Sequence, residues 1–192
     1  LPLLARVGLD ASVDVTRTGF YPSGGGAATL RTAPSTLSRL ALTDRGSLEA
    51  VEVYSLASES LAEQEVAERQ ADRAADLLED AGYPTRVERV DSVPSDSPGS
   101  SLLLRGIYAD SLVGVDALGE RGLPSEAVAE GAVEAFERVH DGPGVVDRHM
   151  ADQLVVFLAL TGGEVRIPAV TDHVETNVAL VREFGCDVEV EP

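Results

Sequence analysis

The sequence predicts an α+β protein in which strands and helices alternate along the chain. Stretches in which apolar and polar residues alternate, such as 9–18 and 48–56, are typical of half-buried strands. The stretch 125–139 has apolar residues at helical spacing and ends close to glycine and proline, which stop helices. Hydrophobic residues make up 44% of the 192 residues, which is enough for the core of one ordinary domain or of two small ones.

The first part of the chain, up to Gly46, predicts the end of a helix, two paired strands and a linker. The helix end stops at Gly8, and alternating apolar residues predict the first strand as half-buried. Gly24 to Gly26 predict a wide turn between the two strands, without the lysine and spacing of a phosphate-binding loop. In chain order the elements are a helix end at 1–7, strands at 9–18 and 27–32, and a linker or short strand at 35–44.

The middle of the chain predicts a compact α+β module. Val51 and Val53 alternate with polar residues, so they lie on one face of its first strand. Its first helix begins with Ser60 and Glu63 at the spacing of a capping box and ends at Gly82. In chain order the elements are strands at 48–56, 85–90, 102–108 and 112–118, with helices at 60–81 and 125–139.

The last part of the chain predicts two helices and two strands. Asp147 is predicted to cap the first of these helices, and a pair of glycines ends it. The elements are helices at 147–160 and 172–184 and strands at 164–168 and 187–190. We therefore expect residues 47–140 to form a module inserted between two other pieces of chain, 1–46 and 141–192.

The charge balance favours a salt-adapted protein. Aspartate and glutamate number 33 against 15 basic residues, which gives a net charge of -18, and all 15 basic residues are arginine. In about 1 M salt the Debye length is only roughly 3 Å, so the repulsion within such a surface is largely screened. An RNA partner is then compatible with the charge, provided that a few arginines lie at its phosphates. A generic acidic protein is the alternative.

The sequence has neither a long apolar run nor a second cysteine, and this excludes several classes of protein. No apolar run approaches the roughly 18 residues needed to cross a bilayer, and no signal peptide opens the chain. Cys186 is the single cysteine, which excludes a disulfide within the chain and a metal site built from cysteines. The sequence therefore predicts a soluble, cytoplasmic protein that does not act at a membrane.

Three polar residues share one face of the predicted helix at 147–160. His149, Asp152 and Gln153 stand at positions i, i+3 and i+4, while most of the helix that follows is apolar. Because an apolar helix predicts burial, these groups need partners, and a ligand is one candidate. A hydrogen-bonded network within the protein and an exposed first turn are the alternatives. A metal site at His149 is disfavoured, because no second histidine lies at ligand spacing.

A histidine begins the last predicted helix. Asp172 at the N-cap and Glu175 three residues later form a capping box, which places His173 in the first turn. The positive end of the helix dipole disfavours a charged imidazole, and the free N–H groups there can hold a phosphate. A neutral imidazole is a nucleophile. The alternative is an ordinary surface histidine, and His140, after an earlier helix, is interpreted as a plain helix residue.

Three segments carry a family resemblance by their residues, order and spacing. They are RTGFYPSGGG at 17–26, HMADQL at 149–154 and HVETN at 173–177. Together they resemble the RNA 3'-terminal phosphate cyclase family, in which an insert of similar size separates the first two. The glycine turn and the HxxTN element are fairly specific as a pair, whereas the insert matches in pattern more than in residues.

The resemblance implies an RNA-cyclase/enolpyruvate-transferase-like fold. In that architecture a main domain of repeated α+β units is interrupted by a small inserted α/β domain. Residues 1–46 and 141–192 would belong to the C-terminal part of the main domain, and 47–140 to the insert. Family members are considerably longer, so we expect the N-terminal repeats, with the family's residues for triphosphate and metal, to be missing from this chain.

The resemblance also implies an activity, the ATP-dependent conversion of RNA 3'-phosphate ends to 2',3'-cyclic phosphates. His173 corresponds to the family's nucleophile, which becomes adenylated. The implied nucleotide-binding residues are His149, Met150, Ala151, Asp152 and Gln153, with the ring of His149 stacked on adenine. The implied partners are ATP and an RNA with a 3'-phosphate end. A divalent metal ion, Mg²⁺ or Mn²⁺, is implied as well, with no ligands expected in this chain.

Two other functions compete with this one. A non-catalytic, cyclase-like ribosome-assembly factor would bind RNA or protein and is expected to lack the nucleophilic histidine, so His173 favours the enzyme. An acidic α+β interaction module, in which the histidine is incidental, is the third possibility. The adenylation of His173 separates the three.

Overall fold

The computed structural model describes residues 1–191 and confirms the mixed α+β class. The α-helices are α1 (Pro2–Ala5), α2 (Val66–Asp80), α3 (Ser125–His140), α4 (Arg148–Thr161) and α5 (Asp172–Glu183), and a 3₁₀ helix spans Glu59–Gln64. The strands are β1 (Ala11–Arg17), β2 (Ala27–Thr32), β3 (Leu40–Leu42), β4 (Leu48–Ser58), β5 (Thr85–Val93), β6 (Ser100–Tyr108), β7 (Leu112–Leu118) and β8 (Gly163–Val165). None of the helices within these residues is long and apolar enough to cross a membrane.

A four-stranded sheet with two helices organises the middle of the chain. Its strand order is β5-β4-β6-β7, with β4 parallel to β5 and the other neighbours antiparallel. Val51 and Val53 of β4 are fully buried on the side of α2 and α3, as the alternation predicts. The buried residues here, called the sheet core, are Val51, Val53, Ala71, Ala74, Leu78, Leu102, Leu104, Tyr108, Val113, Val115, Val128, Ala129, Ala132, Val133 and Phe136.

A second cluster joins the two ends of the chain. Strands β3 and β8 pair in parallel, and α1, α4 and α5 pack around them. These buried residues, called the helix core, are Leu3, Leu4, Val7, Leu40, Leu42, Val145, Val146, Ala151, Leu154, Val155, Val174, Val178, Val181 and Val188. The chain passes between the two cores near residues 43–47 and 141–144. The division into a main domain and an inserted domain stays a prediction, and its two boundaries lie in these connections.

Arg45 holds both connections to the end of α3. Its guanidinium donates to the carbonyl oxygen of Val139 at 2.9 Å and to that of Gly142, and it lies over the ring of Tyr108 at 5.1 Å. The Tyr108 hydroxyl is 2.7 Å from Nδ1 of His140. His140 is therefore more than the plain helix residue that the sequence predicts, because its ring helps to join α3 to the sheet.

The ribbon of β1 and β2 differs from its prediction. The two strands pair antiparallel, as the glycine turn predicts, but Val13, Val15 and Leu30 are 50%, 62% and 62% exposed. The expected half-buried strand is wrong because no layer of the described residues packs on either face of the ribbon. Alternation shows which residues share a face, and it does not show whether that face is covered.

The predicted start of α2 is also wrong. Residues 59–64 form a 3₁₀ helix, and Glu65 then adopts a left-handed backbone conformation with φ of 51° before α2 begins at Val66. The hydroxyl of Ser60 bonds to that of Ser58 instead of capping a helix. A capping box needs its serine and glutamate to begin one continuous α-helix, and the turn at Glu65 interrupts it.

The C-terminal strands are shorter than the sequence predicts. Strand β8 begins at Gly163, one residue before the expected 164–168, and ends at Val165, because its partner β3 ends at Leu42, which pairs with Val165. The expected strand at 187–190 does not form, and in that tail only the side chain of Val188 is buried.

Candidate functional site

The first turn of α4 is fixed by the carboxylate of Asp147, as the sequence predicts. Its Oδ1 accepts hydrogen bonds from the backbone N–H groups of His149 at 3.0 Å and Met150 at 2.8 Å. Asp147 is 8% exposed, so this cap is sheltered from water. A buried N-cap carboxylate satisfies the free N–H groups at the helix start and complements the helix dipole.

The polar face of α4 is turned towards solvent. His149 and Gln153 are exposed and Asp152 is half-buried, and Nε2 of His149 lies 3.1 Å from Nε of Arg148. The expectation of a largely buried helix is wrong, since Leu160 is 69% exposed. An exposed first turn therefore describes these residues better than an unsatisfied buried face. A ligand could reach this turn, but its polar groups do not need a ligand as a hydrogen-bond partner.

Two of the predicted nucleotide-binding residues face inwards. Ala151 is 2% exposed and belongs to the helix core, and Met150 packs against that core while partly exposed. Their side chains anchor the segment and leave His149, Asp152 and Gln153 as its polar side chains open to solvent.

The first turn of α5 carries His173, whose side chain is exposed. The cap of this helix is Thr171, whose Oγ1 accepts from the backbone N–H of Val174 at 3.3 Å. The predicted cap, Asp172, is instead the first residue of the helix. The prediction is displaced by one residue because Thr171 and Asp172 both have oxygens suited to capping, and His173 still lies in the first turn.

A side-chain hydrogen bond ties the second turn of α5 to that of α4. The amide Nδ2 of Asn177 donates to the backbone carbonyl oxygen of Asp152 at 3.0 Å. Asn177 follows His173 by one turn, and Asp152 follows His149 by about one turn. Two of the three segments behind the family resemblance are thus in direct contact. Asn177 is not among the site residues that the sequence predicts, and its place in the HVETN segment is the one signal for it.

The glycine turn packs against the sheet-core side of the molecule. Gly24 and Gly25 have φ of 65° and 77°, a backbone conformation that favours glycine. Arg17, at the end of β1, pairs with Asp96 at 2.6 Å, and the N–H of Ser23 donates to the hydroxyl of Ser97 at 3.0 Å. The turn is thereby attached to the loop between β5 and β6.

The described residues offer no site for a metal ion. In residues 1–191 no three His, Cys, Asp or Glu side chains lie close enough together to hold one. Every buried side-chain nitrogen and oxygen in that range has a hydrogen-bond partner. The divalent metal that the resemblance implies therefore has no fitting set of ligands among these residues.

Comparison with known proteins decides the family. The family model of RNA 3'-terminal phosphate cyclase matches residues 1–190. The chain belongs to this family. The RNA 3'-terminal phosphate cyclase of Halobacterium salinarum is 48% identical over 191 residues, which cover 100% of this chain and 54% of the relative. That of Saccharolobus solfataricus is 32% identical over 191 residues, 100% of this chain and 56% of the relative.

The cyclases that the chain matches are longer proteins. The chain spans about half of their length, 54% for the Halobacterium protein and 56% for the Saccharolobus proteins. The match runs through both cores and through all three segments of the resemblance. His173, the 149–153 segment and the glycine turn therefore all lie within the part that is shared with these cyclases.

Proposed function

We propose that this chain carries the nucleophile and the nucleotide-binding helix of an enzyme that converts RNA 3'-phosphate ends to 2',3'-cyclic phosphates with ATP. Membership of the cyclase family supports the reaction. The observation that carries the residue assignment is the exposed His173 in the first turn of α5, tied through Asn177 to the segment 149–153. We also propose a cytoplasmic location, which is compatible with ATP and RNA as substrates.

The proposed reaction begins with the imidazole of His173. A ring nitrogen attacks the α-phosphorus of ATP, a P–N bond forms, and the bond to pyrophosphate breaks. The AMP group then moves from the histidine to an oxygen of the RNA 3'-phosphate. Finally the adjacent 2'-hydroxyl loses its proton and attacks that phosphorus, AMP leaves, and the cyclic phosphate remains.

The two helix starts have separate roles in this proposal. The free N–H groups and the positive dipole at the start of α5 stabilise negative charge on the phosphates next to His173. The ring of His149 stacks on adenine, while Asp152 and Gln153 hydrogen-bond to the nucleoside. A divalent metal ion, Mg²⁺ or Mn²⁺, would lower the charge of the triphosphate and would be held by cyclase residues that this chain does not include.

The second candidate is a non-catalytic, cyclase-like factor that binds RNA or protein. The presence of His173 argues against it, because such a factor needs no nucleophile. It would leave His173 unmodified under all conditions.

Covalent labelling tests the proposal. The full-length protein that contains these residues is incubated with α-labelled ATP and MnCl₂ in molar KCl, and acid-labile label is measured. We expect label on the wild type and on Glu183→Ala, at the exposed far end of α5, but none on His173→Ala. Label that persists in His173→Ala, or its absence from a folded wild type, would contradict the proposal.

A further inference from the structure

Asp147 bonds both to the start of α4 and to strand β7. Its Oδ1 caps α4 through His149 and Met150, while Oδ2 accepts a hydrogen bond from the backbone N–H of Gly114 at 3.0 Å. Gly114 lies on β7, the edge strand of the sheet, and its bond to Asp147 shows that its N–H is on the free side of that strand. One buried carboxylate thus joins the start of α4 to the edge of β7.

The chemistry of this contact makes it specific. An ionised carboxylate only accepts hydrogen bonds, and here three N–H donors surround it. Such charge-assisted bonds are roughly twice as strong as neutral ones. An amide in the same place has one accepting oxygen and an NH₂ group, so it can serve the helix or Gly114, but not both.

The chain just before Asp147 is hydrogen-bonded to the residue that precedes β7. The buried hydroxyl of Ser111, which precedes β7, donates to the carbonyl oxygen of Val145. Val145 and Val146 are 2% and 0% exposed. The chain that leads into α4 is therefore fixed to the sheet before the helix begins.

We infer that Asp147 is a positioning residue, through which the edge of the sheet sets the position of the nucleotide-binding segment 149–153. The inference rests on the proposed function, because it gives that segment its ligand. Residues 149 and 150 bond directly to the Asp147 carboxylate, so a shift of Asp147 away from Gly114 moves the segment with it.

The test measures the dissociation constant of ATP for variants of the full-length protein. Asp147→Asn keeps a good helix cap but places an amide between the helix and Gly114. Gly114→Pro removes the N–H donor and places the ring Cδ against Oδ2 of Asp147, so it pushes the carboxylate away from the strand. Gly114→Ala keeps the donor. A Cβ at Gly114 meets Oδ2 of Asp147 and a methyl of Leu103 at 3.9 Å, an ordinary contact.

We expect Asp147→Asn and Gly114→Pro each to weaken ATP binding about tenfold, the lower end of the effect that loss of a supporting residue has at metal sites. Because each variant alone already separates residue 147 from the strand, the loss in the double variant should be smaller than the two single losses combined. Asp116→Asn, an exposed change on the same strand, should leave the dissociation constant unchanged.

The outcomes separate this inference from the proposed function. A wild type that does not bind ATP overturns both. A wild type that binds ATP, with dissociation constants within twofold in Asp147→Asn and Gly114→Pro, overturns the positioning role alone, even if the melting temperatures of both variants fall. Additive losses in the double variant would also overturn it.

Discussion

At the scale of single residues, Glu52 is a buried charge with several partners in the sheet. It is 8% exposed, and its carboxylate accepts from Arg105 and from the hydroxyl of Tyr54 at 2.9 Å, with Arg86 at 3.6 Å. Burial raises the pKa of the Glu52 carboxyl, but the hydrogen bonds from Arg105 and Tyr54 and the nearby arginine charges outweigh burial. The pKa is therefore lowered from 4.5.

Glu52→Gln should destabilise the protein in a pH-dependent way. A lowered folded-state pKa gives stability that is present above the unfolded pKa and is lost as the pH falls through the folded one. We expect a loss of about 1–2 kcal/mol in the free energy of unfolding at pH 7, shrinking below about pH 4.5. Urea unfolding at several pH values measures it. The exposed Glu49→Gln on the same strand is the control, and an equal loss at pH 3 would contradict the prediction.

Gln70 is a second residue on which the sheet core depends. It is 1% exposed, and its amide bonds to Ser55 at 3.2 Å and to Ser100 at 2.9 Å, both buried. Gln70→Leu leaves two hydroxyls unpaired, so we expect the free energy of unfolding to fall by about 2 kcal/mol. Chemical denaturation measures it against Gln64→Leu, which is exposed. A change within about 0.5 kcal/mol would be that of a surface substitution and would contradict the prediction.

At the scale of elements, the glycine turn depends on a close contact with the loop between β5 and β6. A Cβ added to Gly99 would lie 2.6 Å from Cβ of Phe20. Gly99→Ala should therefore displace the turn at residues 19–26, while the sheet core stays folded. Hydrogen exchange of the Ser23 amide should accelerate, because its bond to Ser97 is lost.

The matched control is a glycine with free space around it. Gly131 lies exposed within α3, and nothing within 4 Å meets an added Cβ. Gly131→Ala should raise the free energy of unfolding by about 1 kcal/mol through helix propensity, without affecting the Ser23 amide. Unchanged exchange of Ser23 in Gly99→Ala would show that the turn is not held by this contact.

The order and type of most elements could be predicted from the sequence, because alternation, helical spacing and glycine stops are local signals. Whether another element packs on a strand or helix could not be predicted. The sequence predicts more burial for β1 and for α4 than the structure shows, since their apolar patterns do not report what lies opposite. Likewise the start of α2 depends on the left-handed backbone conformation of Glu65. The neighbouring residues give no signal for that conformation.

The candidate site divides in the same way. The first-turn position of His173 follows from local residues, and so does the cap of α4 by Asp147. The bonds from Asn177 to Asp152 and from Gly114 to Asp147 join residues 25 and 33 positions apart. Such contacts are set by the packing of whole elements, so no pattern along the chain predicts them.

At the scale of the whole molecule, the charge of -18 makes stability depend on salt. Like charges repel in the folded state, and molar salt screens them. We predict that the melting temperature rises steeply between 0.1 and about 3 M KCl. Scanning calorimetry measures it. A variant with Asp72, Asp76 and Glu79, all exposed on α2, changed to their amides should show a shallower rise. A melting temperature that does not change with KCl would contradict salt adaptation.

The open ribbon of β1 and β2 has a consequence for how copies of the chain meet. In the described residues neither strand has a second neighbour, so within this part of the protein both outer edges of the ribbon are unpaired. Exposed valine and leucine side chains make such pairing favourable, and mutual repulsion between acidic molecules opposes it. Concentrated salt screens that repulsion, so a ribbon left open would pair between copies more readily in molar KCl than at low salt.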